Sequence, residues 1–396
     1  MIDQSRETWI TGIGLLSSLG EGVEVHRSRL NSGDAPVTDF NAFPSFLIHP
    51  LGSVDFDKQI PKKGDQRQME LWQRIGVYTA GLALTDAGVA GNEELLKRMD
   101  MIVAAAGGER DVKVDASVAD ELRTANNPEA RLNERLQSEL RPTLFLAQLS
   151  NLLAGNISIV HGVVGSSRTF MGEESSGVQA VQTAHARIRA GQSDLALVGG
   201  AYNAARPDML GLWEFAHMHY RDAFKPLFAP DRKPGMATGT GSAFLVLESR
   251  QHAEARGAKP IAKLTHVDSA RARRSAAGDV TETVRTLFAN ARKQSPKAGA
   301  IYSSASGVEP ATAEEASVLK EQNLPVRAVA SRVGQTFESM FVFGIAFAAL
   351  AVAEGKLAAA MPGVPLETQG ADGVESILIS TVGHWRGEGI GVVEAI

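Results

Sequence analysis

Residues 172–177 read GEESSG, two carboxylates and two hydroxyls between glycines. The preceding SSRTFMG is strand-like. The following SSGVQAVQTAHARIRAG (175–191) has helical spacing and closes on Gly191. Glu173 and Glu174 therefore fall on a strand–turn–helix bend, where free N–H groups and the helix dipole favour negative charge. Many α/β enzymes place a nucleophile at such a bend. As a general base, Glu174 would need a raised pKa, and the helix end pushes the other way. Ser175 and Ser176 lack a GxSxG elbow, since Glu173 replaces its first glycine, so capping of the helix start is their expected role.

Other residue groups carry less. GIGLLS (12–17) is a partial dinucleotide fingerprint without its third glycine. His217 and His219 stand at spacing two with no evident third metal ligand. His185, Arg187 and Arg189 complement a helix C-terminus. The cluster RARRS (271–275) reads as a solvated basic loop, with an acidic partner as the sharper alternative. No cofactor set and no metal set is expected.

Composition narrows the classes. Net charge is −5, which gives no electrostatic footprint for nucleic acid. The chain has no cysteine, which excludes disulfides, thiolate metal sites and thiol catalysis. The N-terminus lacks a signal-peptide pattern. The most apolar run, Met340 to Val352, falls short of the ~20 residues needed to span a bilayer. No membrane insertion is expected, and the default compartment is the cytoplasm.

The elements that must position the glutamates follow from periodicity. Strands are expected at TWITGIGLLSSLG (8–20), MDMIVAAAGG (99–108), SDLALVGGA (193–201), AIYSSAS (300–306), VRAVASRVG (326–334), SILISTVG (376–383) and GIGVVEAI (389–396). SAFLVLES (242–249) and AKLTHVDSA (262–270) are expected to be adjacent strands. Helices are expected at 23–33, 71–89, 143–162, 280–294 and 336–357. Alternating strands and helices imply an α/β protein with mostly parallel central sheets in a layered αβαβα arrangement. Two similar halves, 1–250 and 251–396, are expected to share one body.

Three long blocks carry a family resemblance: WITGIGLLSSLGEG (9–22), the ungapped stretch 153–201, and FAPDRKPGMATGTGSAFLVLESRQHAEARGAKPIAKL (228–264). In order and content they resemble the FabF-like β-ketoacyl-acyl-carrier-protein synthases of the thiolase fold, over nearly the whole chain. The resemblance implies a cysteine nucleophile, two histidines and a supporting lysine. Glu174 stands where the cysteine would be, Ala305 and Gln335 where the histidines would be, and Ala330 where the lysine would be. His384 and Trp385, in GHWRGEG (383–389), take the place of the phenylalanine gate and a neighbouring glycine. By that resemblance the chain would lack the whole catalytic set, and losing co-operating groups together removes the rate.

The resemblance implies acyl carrier protein and either an active ketosynthase or a second copy as partners. In type II polyketide systems, a chain-length factor with glutamine at the nucleophile position plays this role. Paired ketosynthases building very-long-chain acyl groups for lipid A are a second setting. Apolar residues around 166–172 would then lie on the pairing face. The alternatives are a malonyl-carrier-protein decarboxylase, a thioester hydrolase using Glu174, and a module that only binds acyl groups or the carrier protein.

Overall fold

The computed structural model describes residues 4–139, 146–370 and 372–396. Ten strands carry the architecture: β1 (Thr8–Ser17), β2 (Asp100–Ala104), β3 (Ser167–Phe170), β4 (Leu195–Tyr202), β5 (Gly241–Ser249), β6 (Ala262–Ala270), β7 (Ala300–Ser303), β8 (Val326–Ala328), β9 (Ser376–Val382) and β10 (Glu388–Glu394). Across the sheet they run β8-β7-β9-β10-β6-β1-β5-β4-β2-β3, with Gly20–Glu21 added beside β1.

The sheet has two wings with the same plan. In the first, β1, β5 and β4 are antiparallel neighbours, then β2 and β3 continue in parallel. In the second, β6, β10 and β9 are antiparallel neighbours, then β7 and β8 continue in parallel. The wings join where β1 pairs antiparallel with β6 over Thr8–Ile10. The sheet is therefore mixed, and parallel pairing is confined to its outer parts. One reason is local: β9 and β10 are linked by the short stretch 383–387, too short for the crossover that a parallel pair needs. A second difference concerns β5 and β6, which are not adjacent, because β1 lies hydrogen-bonded between them.

Four helices set the layers: α1 (Leu71–Asp86), α2 (Glu173–Arg189), α3 (Asp279–Gln294) and α4 (Met340–Glu354). The helix α1 covers the first wing and α3 the second. Helices α2 and α4 pack on each other and on both wings, forming the middle layer. Every residue of α4 from Met340 to Val352 is buried. Among the described residues, Phe337–Glu354 has the length and hydropathy to cross a membrane, but 89% of it is buried inside this fold.

Several local readings are refined. In β1 the glycines at 12 and 14 serve packing: a Cβ on either would run into the carbonyls of Ala83 and Thr79 on α1. This explains the GxG without a nucleotide. The stretch 326–334 is a strand only to Ala328. It then turns into a short helix, Ala330–Val333, that stops at Gly334 with φ 73°. The helix expected at 143–162 is found at Leu152–His161, with residues 143–145 outside the described chain. His219 donates from Nε2 to the Leu210 carbonyl at 3.2 Å and packs on Phe46, which is a structural use of that ring.

Candidate active site

The bend between β3 and α2 needs unusual backbone. Gly172 has φ 137° and ψ 50°, a region open to glycine, and Glu173 follows with φ 51°. A non-glycine residue in the left-handed region costs roughly 1–3 kcal/mol and persists only where its surroundings hold it. Arg386 Nε holds Glu173 Oε2 at 3.5 Å. The bend turns the first residues of α2 inward, and Glu174 is fully buried there. Close approach is possible because Gly177 has no Cβ: one would sit 2.5 Å from the carbonyl oxygen of Glu338. Ser175 and Ser176 do not cap the helix. Their hydroxyls donate back to the carbonyls of Gly172 and Glu173, at 2.8 and 2.7 Å, because the bend already points those carbonyls at them.

Three chain segments converge on the Glu174 carboxylate. Gln335 Nε2 donates to Oε1 at 2.6 Å. His384 Nδ1 faces both oxygens, at 3.0 and 3.1 Å, and the His384 backbone N–H approaches Oε1 at 3.4 Å. Gln335 is fixed in turn: its N–H donates to Ala237 O at 2.8 Å, and its carbonyl accepts from Gly239 N at 2.9 Å. The imidazole of His384 is held edge-on by Trp213 and Phe337, whose own rings stack with centroids 5.2 Å apart. Arg274 secures the loop from behind, donating to the carbonyls of Gly383 and His384 and pairing with Glu388 at 2.8 Å.

The electrostatics follow from this geometry. Burial pushes the Glu174 pKa up, but the charge and hydrogen bond of His384 outweigh it and hold the carboxyl below its ordinary value. Its own backbone N–H and that of His384 act in the same direction. For His384, burial lowers the pKa and Glu174 raises it further, leaving it above its ordinary 6.5. A carboxylate only accepts, so Nδ1 carries the proton of this bond. Behind the pair lies Glu338, buried at 3% exposure, with its pKa pushed up to about 8 by burial and by Glu174. Glu338 is thus neutral where Glu174 is charged.

Of the sequence-expected positions, the structure brings together Glu174, Gln335 and His384. Trp385 is 65% exposed, on the rim of an open groove of about 710 Å³ that His384 also lines. Ala305 and Ala330 are buried in the core and offer only methyl groups, so neither side chain can hydrogen-bond the carboxylate. Ala330 instead lines a small separate hollow with His49, Ser306 and Arg232. The direct bond from His384 to Glu174, and the buried Glu338, were not read from the sequence. A lone carboxylate inside the apolar run 336–357 was the available signal for Glu338.

The network offers no thiol and no hydroxyl nucleophile. Two backbone N–H groups, of residues 174 and 384, converge on the carboxylate. In an acyl-transfer enzyme such a pair would hold an oxyanion, and here it is occupied by an internal side chain.

Comparison with known proteins fits this geometry to a family. Residues 7–253 match the family model described as β-ketoacyl synthase, N-terminal domain. The chain is 28% identical over 269 residues to 3-oxoacyl-[acyl-carrier-protein] synthase 2 of Vibrio cholerae, covering 65% of this chain and 62% of that one. The match thus spans about six tenths of that relative's length. It is 23% identical over 376 residues to the oxytetracycline polyketide putative β-ketoacyl synthase 1 of Streptomyces rimosus, covering 89% and 86% of the two chains. In three dimensions it resembles the ishigamide ketosynthase/chain length factor, with a TM-score of 0.79 at 20% identity over 99% of both chains. A β-ketoacyl synthase from Burkholderia phymatum gives 0.77 at 18% identity, covering 98% of this chain and 99% of that one. The chain belongs to the β-ketoacyl synthase family and has its thiolase-like fold.

Proposed function

We propose that this protein is a condensation-inactive β-ketoacyl synthase homologue that serves fatty acid or polyketide assembly by pairing with a catalytically complete ketosynthase. The observation that carries this reading is the Glu174 carboxylate, buried on the two backbone N–H groups and tied to Gln335 and His384. It blocks the bend as a nucleophile site. The His384 charge that holds its pKa below the ordinary value makes it a poor base for decarboxylation or hydrolysis.

A pairing face supports the partner role. Among the described residues, the strand β3 ends the sheet, bonded to β2 alone, and its outer edge is open for another strand. Around it Ile159, Val164 and Met171 are 69%, 57% and 60% exposed. Apolar side chains beside an open strand edge suit strand addition with burial of the flanks. Two neighbours in fold are assemblies: the ishigamide ketosynthase/chain length factor, and a type II ketosynthase complexed with its acyl carrier protein. By this reading an acyl carrier protein meets the pair rather than this chain alone. The two halves, 1–250 and 251–396, act as one body.

The test is purification of the tagged chain from its native host, followed by native mass spectrometry. A cysteine-bearing ketosynthase in one-to-one ratio supports the proposal, and a homodimer alone would sink it.

A further inference from the structure

The segment that completes the surroundings of Glu174 is seated in an unusual way. Phe337 is a non-glycine residue at φ 43°, in the left-handed region, which persists only where neighbours hold it. Its ring packs on Trp213, Tyr202 and His384, with centroids 5.2, 4.6 and 5.5 Å away. The next residue, Glu338, is wedged between α2 and β4. Its carbonyl oxygen would lie 2.5 Å from a Cβ on Gly177 and 3.2 Å from one on Gly200. Polar side-chain atoms add little to this seat. Gln335 Oε1, Thr336 Oγ1 and Glu338 Oε2 are all buried without a hydrogen-bond partner among the described residues.

The Glu338 carboxyl has no counter-ion in this place. It meets its own backbone N–H, and the titratable and charged groups that face it are Glu173 and Glu174 on α2, Tyr202 on β4 and Arg206 just beyond β4. Arg206 is already paired with Asp208 at 2.7 Å, and His384 with Glu174 at 3.0 Å. A second buried negative charge beside Glu174 would have nothing to offset it, so the carboxyl keeps its proton while it is seated. Burial and Glu174 accordingly push its pKa up to about 8.

We propose that residues 335–339 are a proton-held catch at the junction of the wings: the protonated Glu338 keeps the segment seated between α2 and β4, and loss of that proton unseats it. Unseating parts Phe337 from Trp213 and draws Gln335 Nε2 away from Glu174 Oε1, a contact of 2.6 Å. Released, Glu338 titrates near its ordinary 4.5. The contribution of the proton to the seated form is therefore full below 4.5 and is lost as pH rises to about 8. Across that window the ratio of released to seated forms grows about tenfold per pH unit. The catch lies within one chain, so it goes beyond the pairing proposal and holds whatever the chain pairs with.

Amide hydrogen exchange of the full chain between pH 6 and pH 8 tests this, with each rate divided by its intrinsic value to give an opening constant. The reporters are the amides of Gln335 and Ser339, bonded to Ala237 O at 2.8 Å and Thr336 O at 3.1 Å. Amides inside α1 are the reference. In wild type the reporters should open about tenfold more per pH unit, while the reference stays level. The chain has no cysteine, so no thiol titrates in this range. Glu338→Gln keeps the shape and cannot ionise, so its opening constants should not change with pH. Glu338→Met serves the same purpose if the Gln variant does not fold. Glu315 is a second buried carboxyl, with its pKa raised to about 7, but it bonds Ser303 and Ser380 in the other wing. Glu315→Gln should therefore leave the reporter slope as in wild type. A level wild-type profile, or a slope shared by the reference amides, would overturn the catch. So would a slope that survives in the Glu338 variants, which would trace it to deprotonation of His384 instead.

Discussion

Helices α2 and α4 hold equivalent places in the two wings. Each follows the outermost strand of its wing, β3 or β8, and both lie in the middle layer. Their starts differ. The first turn of α2 carries two carboxylates, one of them buried in an ion pair, while the first turn of α4 is wholly apolar. The segment before α4 supplies the polar groups instead: Gln335 reaches across to Glu174, and Glu338 sits behind it. One wing thus presents a charge at a helix end and the other completes its surroundings. The difference teaches that the site belongs to the junction of the wings and not to either one.

The largest expected effect comes from breaking the charged start of α2. His384→Ala leaves Glu174 buried without its counter-ion and should destabilise the protein by about 3–5 kcal/mol, read by chemical denaturation. A loss under about 1 kcal/mol would show that Gln335 and the backbone donors alone satisfy the carboxylate.

Matched glycines sharpen the comparison. Gly177→Ala on α2 would press a methyl against the Glu338 carbonyl at 2.5 Å, and backbone yields poorly. The expected cost is about 1–3 kcal/mol. Gly344→Ala on α4 would press a methyl against the Ile379 Cγ2 methyl at 2.7 Å, with Ser304 Oγ at 3.4 Å, side chains rather than backbone. Its cost should be the smaller of the two, and equal losses would contradict the picture of two unequal interfaces.

The smallest effect is a pH window. Glu174 is lowered from 4.5, so its share of stability is present above that value and lost as pH falls through the depressed folded pKa. His384 is raised from 6.5, so its share is full below that value and lost as pH rises through the elevated one. The pair therefore contributes most between pH 4.5 and 6.5. Against wild type, the double variant Glu174→Gln, His384→Gln should show a flatter stability profile on both sides of that window. Matching profiles would mean the pair does not titrate with unfolding.

Legibility in the sequence followed distance along the chain. The bend at Gly172 and the burial of α4 are local patterns, and both were readable. Gln335 was readable because it opens an apolar helical run. The bond from His384 to Glu174 joins residues 210 positions apart, and no local pattern encodes it. The order of strands was hidden for the same reason. β5 and β6 are near in sequence, and only the pairing of β1 with both of them shows that they are separated. Glu338 was passed over because apolar neighbours dominate its window, although a carboxylate there had to be neutral or paired.

The central place of β1 also bears on synthesis. β1 is made long before its partners, since Thr8 pairs with Ser249 on one side and Leu264 on the other. Until the ribosome has delivered both, the described strand beside β1 is the two-residue Gly20–Glu21. Contacts so far apart form slowly, and a nascent chain holding an unpaired apolar strand is prone to aggregate. A chaperone that shields residues 8–17 through that interval would keep this strand from aggregating.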